Sequence, residues 1–186
     1  MPTKQIISIH ESSMVKTVDF LRNELKAVRT GRASPGLVEN LSVEYYGSPT
    51  PLKSLATIAA PEPASIVIKP FDAASLKDIE KAIKNSELSL APVVEGKMIR
   101  LNIPPLSEER RKQIVQQVKQ LGEKTKVSVR NIRRDANKQL DDELKNKMIT
   151  EDDCKKGKNS VDDITKKNND QIDSIIKNKS EEIMNS

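Results

Sequence analysis

Tryptophan is absent from this chain of 186 residues, and its aromatic side chains stop at Phe20, Tyr45, Tyr46 and Phe71. Such rings bury about 150–250 Å² each in a thick core. The interior must instead be built from Ile, Leu, Val and Ala, which suits slender packed helices. Cysteine occurs once, at Cys154, so no intramolecular disulfide can form. Its neighbours Asp152, Asp153 and Lys155 make it read as a free surface thiol in a reducing compartment. Histidine also occurs once, at His10, with no evident catalytic partners, and reads as a surface or edge residue. Cys/His metal spacings, Walker-type glycine loops and nucleophile motifs are missing. The acid pairs Asp141-Asp142 and Asp162-Asp163 are sequence neighbours in helical segments. They point about 100° apart and cannot share a proton as an acid/base pair. No enzyme activity, nucleotide site, cofactor or metal is therefore expected. No apolar run approaches the roughly 20 residues needed to span a membrane. Met1-Pro2-Thr3-Lys4 lacks the apolar run of a signal peptide, so a cytoplasmic setting is expected.

Charge is what the chain has in excess. The net charge is +5, from 32 basic and 27 acidic side chains. It is unevenly spread: residues 1–29 carry 5 basic and 3 acidic side chains, and residues 30–105 carry 8 of each. Residues 106–149 carry 12 basic and 7 acidic, and residues 150–186 carry 7 and 9. A surplus gathered in one segment is the usual electrostatic footprint of a polyanion partner. A solvated helix face would look the same by charge alone.

Hydrophobic periodicity predicts three long helices. Over residues 3–29, Ile7, Met14, Val18, Leu21, Leu25 and Val28 recur at 3-4 spacing, broken at Glu11. Thr30-Gly31-Arg32-Ala33-Ser34-Pro35-Gly36 ends that helix. From Ser107 to Lys147 the stripe is Ile114, Val118, Leu121, Thr125, Val129, Ile132, Ala136, Leu140 and Leu144, interrupted by no proline and only by Gly122. Ser107 is its cap, and the helix is about 60 Å long at roughly 1.5 Å per residue. Thr150-Glu151-Asp152-Asp153 starts the third helix. Its stripe of Val161, Ile164, Ile172, Ile175 and Ile183 is thin, interrupted by Asn168 and Lys179, so its C-terminal end is expected to fray.

Between the first two helices the texture changes. Leu41, Val43 and Tyr45 alternate like a strand, Gly47-Ser48-Pro49-Thr50-Pro51 reads as a loop, and Ile66-Val67-Ile68 as a short strand. Ser75 to Asn85 reads as a short helix with Ser75 as its cap, and Glu95-Gly96-Lys97 as the turn of a hairpin flanked by Val93-Val94 and residues 98–103. The expected fold is α+β: an antiparallel three-helix bundle (1–30 and 105–186) with an inserted α/β domain of mixed strands (31–104). The joints are expected near 29–31 and 103–106, at Thr30, Gly31, Pro104 and Pro105.

Lys126, Arg130, Arg133 and Asn137 follow a 4-3-4 spacing, each one residue after Thr125, Val129, Ile132 and Ala136 of the apolar stripe. One residue is about 100° of helix, so a basic edge flanks the buried seam. Guanidinium groups pair bidentately with phosphate. An ion-pair network with acids of the neighbouring helices would use the same pattern. Arg29 and Arg32 flank Gly31 and suit either a phosphate contact or a helix C-cap. Arg110 and Arg111 stand in the first turn of the long helix, where the dipole disfavours cations, which suggests a role other than stability. Tyr45 and Tyr46 in a strand would face opposite sides, one in the core and one exposed. A coiled-coil-like adaptor, docking proteins on its apolar faces and self-associating, also accounts for the stripes, but not for the basic edge.

Four ordered motifs sharpen the choice. They are Val28-Arg29-Thr30-Gly31-Arg32-Ala33-Ser34-Pro35 and Val43-Glu44-Tyr45-Tyr46-Gly47-Ser48-Pro49-Thr50-Pro51-Leu52, then Ile103-Pro104-Pro105-Leu106-Ser107-Glu108-Glu109-Arg110-Arg111-Lys112 and Val129-Arg130-Asn131-Ile132-Arg133-Arg134-Asp135-Ala136-Asn137. In this order they resemble the ribosome recycling factor family. The resemblance implies an L-shaped monomer with the outline of transfer RNA, whose bundle binds RNA of the large ribosomal subunit. It implies RNA contacts at Arg29, Arg32, Arg110, Arg111, Lys126, Arg130, Arg133, Arg134 and Asn137. It further implies a hinged smaller domain on which elongation factor G acts, with GTP hydrolysed by that partner, to split the post-termination ribosome and release mRNA and tRNA.

Overall fold

Three helices account for more than half of the chain in the computed structural model, which describes residues 2–186. They are α1 (Thr3–Lys26), α4 (Glu108–Lys145) and α5 (Glu151–Asn185). Between α1 and α4 lie β1 (Ser42–Tyr45), β2 (Ser48–Pro51), the single turn α2 (Leu52–Leu55), β3 (Ala56–Glu62), β4 (Ser65–Pro70), α3 (Leu76–Lys84), β5 (Pro92–Glu95) and β6 (Met98–Asn102). The chain divides into two compact units. The first runs to Leu25 and takes in Val115–Glu181; the second comprises Lys26–Ile114 and Glu182–Ser186.

The first unit is a three-helix bundle. α1 buries Ile6, Met14, Val18, Leu21 and Leu25. The apparent break at Glu11 disappears because the register runs through Ile6 rather than Ile7. His10 fills the gap, with its Nε2 3.0 Å from Gln139 Oε1 on α4. α4 runs against both neighbours. Gly122 faces Ile176 and Leu140 faces Gly157 across the α4–α5 seam, while Thr3 also meets Gly157 and Met14 meets Thr165 and Asn168. Ile6, Ala136, Leu140, Cys154 and Val161 form one buried cluster.

Cys154 is therefore not a surface thiol: it is buried, with Sγ 3.8 Å from Asp141 Oδ1. Its acidic sequence neighbours point outward on the helix while it faces the seam. The α5 face is partly polar, and its polar members bond to their own helix. Thr165 Oγ1 donates to the Val161 carbonyl at 2.7 Å and Asn168 Nδ2 to the Ile164 carbonyl at 2.8 Å. Both residues are buried, so they continue the seam that a purely apolar count makes look interrupted.

The helix ends are specified locally. Ser107 Oγ accepts from the Arg110 amide at 3.2 Å, the N-cap expected of it. Thr150 and Asp153 bond reciprocally: the Asp153 amide donates to Thr150 Oγ1 at 3.1 Å, and the Thr150 hydroxyl and amide both donate to Asp153 Oδ2. These bonds, the side-chain one foremost, hold the Asp153 carboxyl below its ordinary range. α4 closes with Lys147 at φ +57, and the Met148 amide reaches back to the Glu143 carbonyl at 2.9 Å. α1 stops at Lys26, three residues before the expected end. Gly36 folds back so closely that a Cβ there would lie 2.9 Å from the Lys26 carbonyl oxygen. α5 is not frayed and runs to Asn185. Ile183 is fully buried, and the Ser186 hydroxyl accepts from the Gly31 amide at 3.0 Å while donating to the Ile183 carbonyl.

The second unit holds a four-stranded sheet in the order β3-β4-β6-β5 and a separate β1–β2 hairpin. Every pairing is antiparallel, so the strands are not mixed. Ile66, Ile68, Ile99 and Leu101 bury one sheet face with Val43, Leu52, Ile79 and Ile83. Two strands depart from the sequence reading. Residues 48–51, expected as a loop, form β2, which pairs on one side only and so tolerates Pro49 and Pro51. β3 has little alternation and is held by its pairing with β4. Ser75 does not cap α3 with its side chain; its hydroxyl donates to the Asp72 carbonyl, and Asp72 Oδ1 takes the Ala74 amide instead.

Leu140 lies fully buried in the α1–α4–α5 seam. Leu140→Ala is expected to cost about 2–5 kcal/mol of bundle stability. Urea unfolding followed by helix circular dichroism measures it, and a loss well below that range would show that the seam closes around the gap.

Candidate nucleic-acid interface

The heptad-like offset of α4 places the basic residues where sequence spacing puts them. Thr125, Val129 and Ala136 are buried, Ile132 is half-buried, and each is followed by a more exposed polar residue. Arg130, Arg133 and Arg134 are exposed, while Lys126 and Asn137 are half-buried. All five belong to the first unit.

The ion-pair alternative that the spacing leaves open holds for part of the edge. Lys126 Nζ contacts Asp173 of α5 at 2.5 Å and Glu123 of its own helix at 3.9 Å. Arg133 meets Asp162 of α5, with Nε 2.7 Å from Oδ1. Arg130 and Arg134 make no ion pair among the described residues. The edge is thus half an inter-helix ion-pair ladder and half open cation. The ladder changes sign at its far end, where Lys158 of α5 pairs with Asp141 of α4 at 2.7 Å.

The other four candidates lie in the second unit and are not alike. Arg32 is exposed, and its amide and carbonyl engage the Thr30 hydroxyl, itself buried. Arg29 is half-buried and donates from Nη2 to the Pro104 carbonyl at 3.3 Å. Arg110 is exposed, with Nη1 3.0 Å from Gln113 Oε1. Arg111, half-buried, donates to the Met184 carbonyl at 3.3 Å. Arg29 and Arg111 therefore satisfy backbone carbonyls within this unit, whereas Arg32 and Arg110 present their guanidiniums to solvent. Thr30, Gly31, Pro104 and Pro105 all fall inside this unit as well.

Tyr45 and Tyr46 do not face opposite sides of a strand. The strand ends at Tyr45, and Tyr46 (φ +47) and Gly47 (φ +79) form the two-residue turn into β2. The rings meet edge to face with centroids 4.5 Å apart. Tyr45 packs against the core and donates to Asp72 Oδ2 at 3.3 Å, while Tyr46 is 80% exposed. Burial first, then the Asp72 carboxylate, pushes the Tyr45 phenol above its ordinary range.

Sequence reading allows for acids of the neighbouring helices but does not identify them as Asp162 and Asp173. A signal was present: Asp162 follows buried Val161 and Asp173 follows buried Ile172, the same one-residue offset as the cations of α4. Among the described residues no His/Cys/Asp/Glu group is arranged to hold a metal ion, and no helix is long and apolar enough to cross a membrane.

The family model described as "Ribosome recycling factor" matches residues 21–184. The chain belongs to the ribosome recycling factor family. Relatives named ribosome-recycling factor include that of Rhodopirellula baltica, 55% identical over 138 residues and covering 74% of each chain. That of Xanthomonas campestris pv. campestris is 51% identical over 151 residues, covering 81% of this chain and 82% of the relative. A solution structure of the ribosome recycling factor aligns at a TM-score of 0.79 with 41% identity, over 99% of this chain and 98% of that one. A second structure aligns at a TM-score of 0.70 with 40% identity, over 99% of this chain and 100% of that one. It comprises models for the T. thermophilus ribosome recycling factor and the E. coli elongation factor G bound to the E. coli post-termination complex. The α+β class and the long helices expected from this sequence are those of the family's structures.

The Lys158–Asp141 pair has a pH signature. The Lys158 hydrogen bond, ahead of other causes, holds the Asp141 carboxyl below its ordinary 3.8 and raises the Lys158 ammonium above 10.5. A depressed carboxylate contributes stability above its unfolded pKa and loses it as pH falls through the folded one. The raised ammonium contributes below its unfolded pKa and loses it as pH rises through the folded one. Thermal midpoints are therefore expected to fall below about pH 4, and Asp141→Asn to flatten that acid limb. Superimposable acid limbs for the two proteins would remove Asp141 from the account.

Proposed function

We propose that this chain recycles ribosomes in the cytoplasm. It binds the post-termination ribosome as a monomer and, with elongation factor G and GTP, splits it into subunits, so that mRNA and tRNA are released. The observation that carries this reading is the alignment of nearly the whole chain with a recycling factor placed together with elongation factor G on a post-termination complex.

Two parts of the chain have separate tasks in this reading. The basic edge of α4, with Arg29, Arg32, Arg110 and Arg111, docks on RNA of the large subunit. Phosphate contacts release counterions, so the docking is steeply salt-dependent. The sheet domain takes the push from elongation factor G. Thr30-Gly31 and Pro104-Pro105 are proposed as the places where it yields; they lie inside the second unit, between its sheet and the segments that lead to α1 and α4. The chain itself performs no chemistry: GTP hydrolysis by the partner drives the separation, and the recycling factor transmits it.

Light scattering of post-termination ribosomes tests the whole. A drop that requires this chain, elongation factor G and GTP together is expected, and a drop without the chain, or none with all three, would refute the reading. Arg133→Glu and Arg130→Glu are expected to weaken ribosome binding at least roughly tenfold, the scale of a lost charge-assisted contact plus a reversed charge, with helix content unchanged. Ribosome pelleting at several salt concentrations reads the affinity, and a flat salt response would exclude phosphate contacts.

A further inference from the structure

The two inter-helix pairs on the basic edge are built differently. Asp162 approaches Arg133 at Nε, the inner nitrogen of the guanidinium, at 2.7 Å. A guanidinium has five N–H donors in a fixed plane, four of them on the two terminal Nη atoms. The contact falls on Nε, which leaves the Nη donors for another partner. The Arg133 side chain keeps 44% of its surface exposed. Lys126 has only one donor atom. Asp173 and Glu123 both engage that atom, and the side chain is 26% exposed. A carboxylate on Nε leaves an arginine its Nη donors for a phosphate. Asp173, by contrast, sits on the one atom that carries the lysine's charge, on a side chain with little exposed surface, so a phosphate would have to share that atom with a carboxylate.

The geometry points to opposite roles for two acids of α5 in RNA binding. Asp162 is a positioning residue that presents the Arg133 fork to a phosphate, and Asp173 withholds Lys126 from one. The inference rests on the reading that α4 docks on ribosomal RNA and deepens it. The nine candidate contacts are not equivalent, and the α5 acids decide which cations on this edge are available. Arg133 and the unpaired Arg130 and Arg134 carry affinity, and Lys126 does not.

Removing either acid makes the chain one unit more positive. If the acids only dilute the positive field, Asp162→Asn and Asp173→Asn must both tighten binding to ribosomes. Positioning predicts opposite signs. Asp162→Asn is expected to weaken binding roughly tenfold, the scale of one charge-assisted contact. Asp173→Asn is expected to tighten it and to steepen the slope of log K against log salt by about 0.7 to 0.9, one further phosphate contact. In an Arg133→Gln background, Asp162→Asn is expected to change nothing further, because its effect runs through that arginine. Both acids are exposed, and thermal midpoints of the variants verify that the bundle is intact.

The measurement is affinity of the full chain for purified ribosomes across a salt series. Opposite signs together with silence of Asp162→Asn on Arg133→Gln support the assignment. Tightening by both Asn variants, no change in either, or an undiminished Asp162→Asn effect on Arg133→Gln overturns it. Failure of the underlying RNA reading looks different: Arg130→Glu and Arg133→Glu would then leave affinity untouched.

Discussion

The register between α4 and α5 is the constraint on which the rest of the bundle depends, and two glycines set it. At Gly122 a Cβ would lie 2.7 Å from Ile176 Cγ1, and at Gly157 a Cβ would lie 3.1 Å from both Leu140 methyls. Glycine in a helix interior costs about 1 kcal/mol relative to alanine. Here that cost is offset by large aliphatic side chains seated on bare backbone, one near each end of the shared seam. A slip by one helical turn would place Ile176 against a side chain and lift the helices apart. With the slip excluded, Lys126 meets Asp173, Arg133 meets Asp162 and Lys158 meets Asp141. The charged edge follows from the packing and does not cause it.

That order of causes explains how a chain so poor in aromatics makes long helices cohere. Cys154, Gly157, Thr165 and Asn168 all face inward on α5. Small and polar residues there let the helices approach closely. Thr165 and Asn168 return their donors to their own helix backbone, which avoids most of the penalty of burying them. Affinity among the helices comes from large apolar residues such as Ile6, Met14 and Leu21 on α1, Leu140 on α4 and Ile172 on α5. The small residues supply the gaps into which such side chains pack, as Leu140 does at Gly157 and Ile176 at Gly122.

Sequence reasoning recovers what is locally periodic. The stripes of α4 and α1 are legible because their seams are aliphatic, and the caps at Ser107 and Thr150 because cap chemistry spans three residues. It fails where the deciding partner is distant in sequence. β3 has Ala59-Ala60-Pro61-Glu62 for a second half and becomes a strand through its ladder to β4. Cys154 reads as exposed because its chain neighbours are acidic, yet helix phase turns it toward Ala136 and Leu140. The basic edge is legible as a row of cations, since 4-3-4 spacing is local. Which of those cations remain unpaired is settled by α5 and lies beyond any one-helix reading.

Net charge by segment therefore overstates what α4 can offer a polyanion. Residues 106–149 carry 12 basic side chains against 7 acidic, but Lys126 and Arg133 already face carboxylates of α5. Exposed ion pairs contribute only about 0–1 kcal/mol to folding, so stability is a weak reason for these pairs to exist. Their larger effect is on the freedom of the side chains. A free arginine loses about 2 kcal/mol of rotamer entropy when it is fixed on a ligand, and a planar fork already held at one nitrogen has less to lose. A lysine has no planar fork to orient, and a phosphate reaching Lys126 must share its one nitrogen with the Asp173 carboxylate. On the proposed reading the same carboxylate chemistry on the same helix edge has opposite consequences for two cations, and the difference lies in whether the contacted nitrogen is the only one the side chain has.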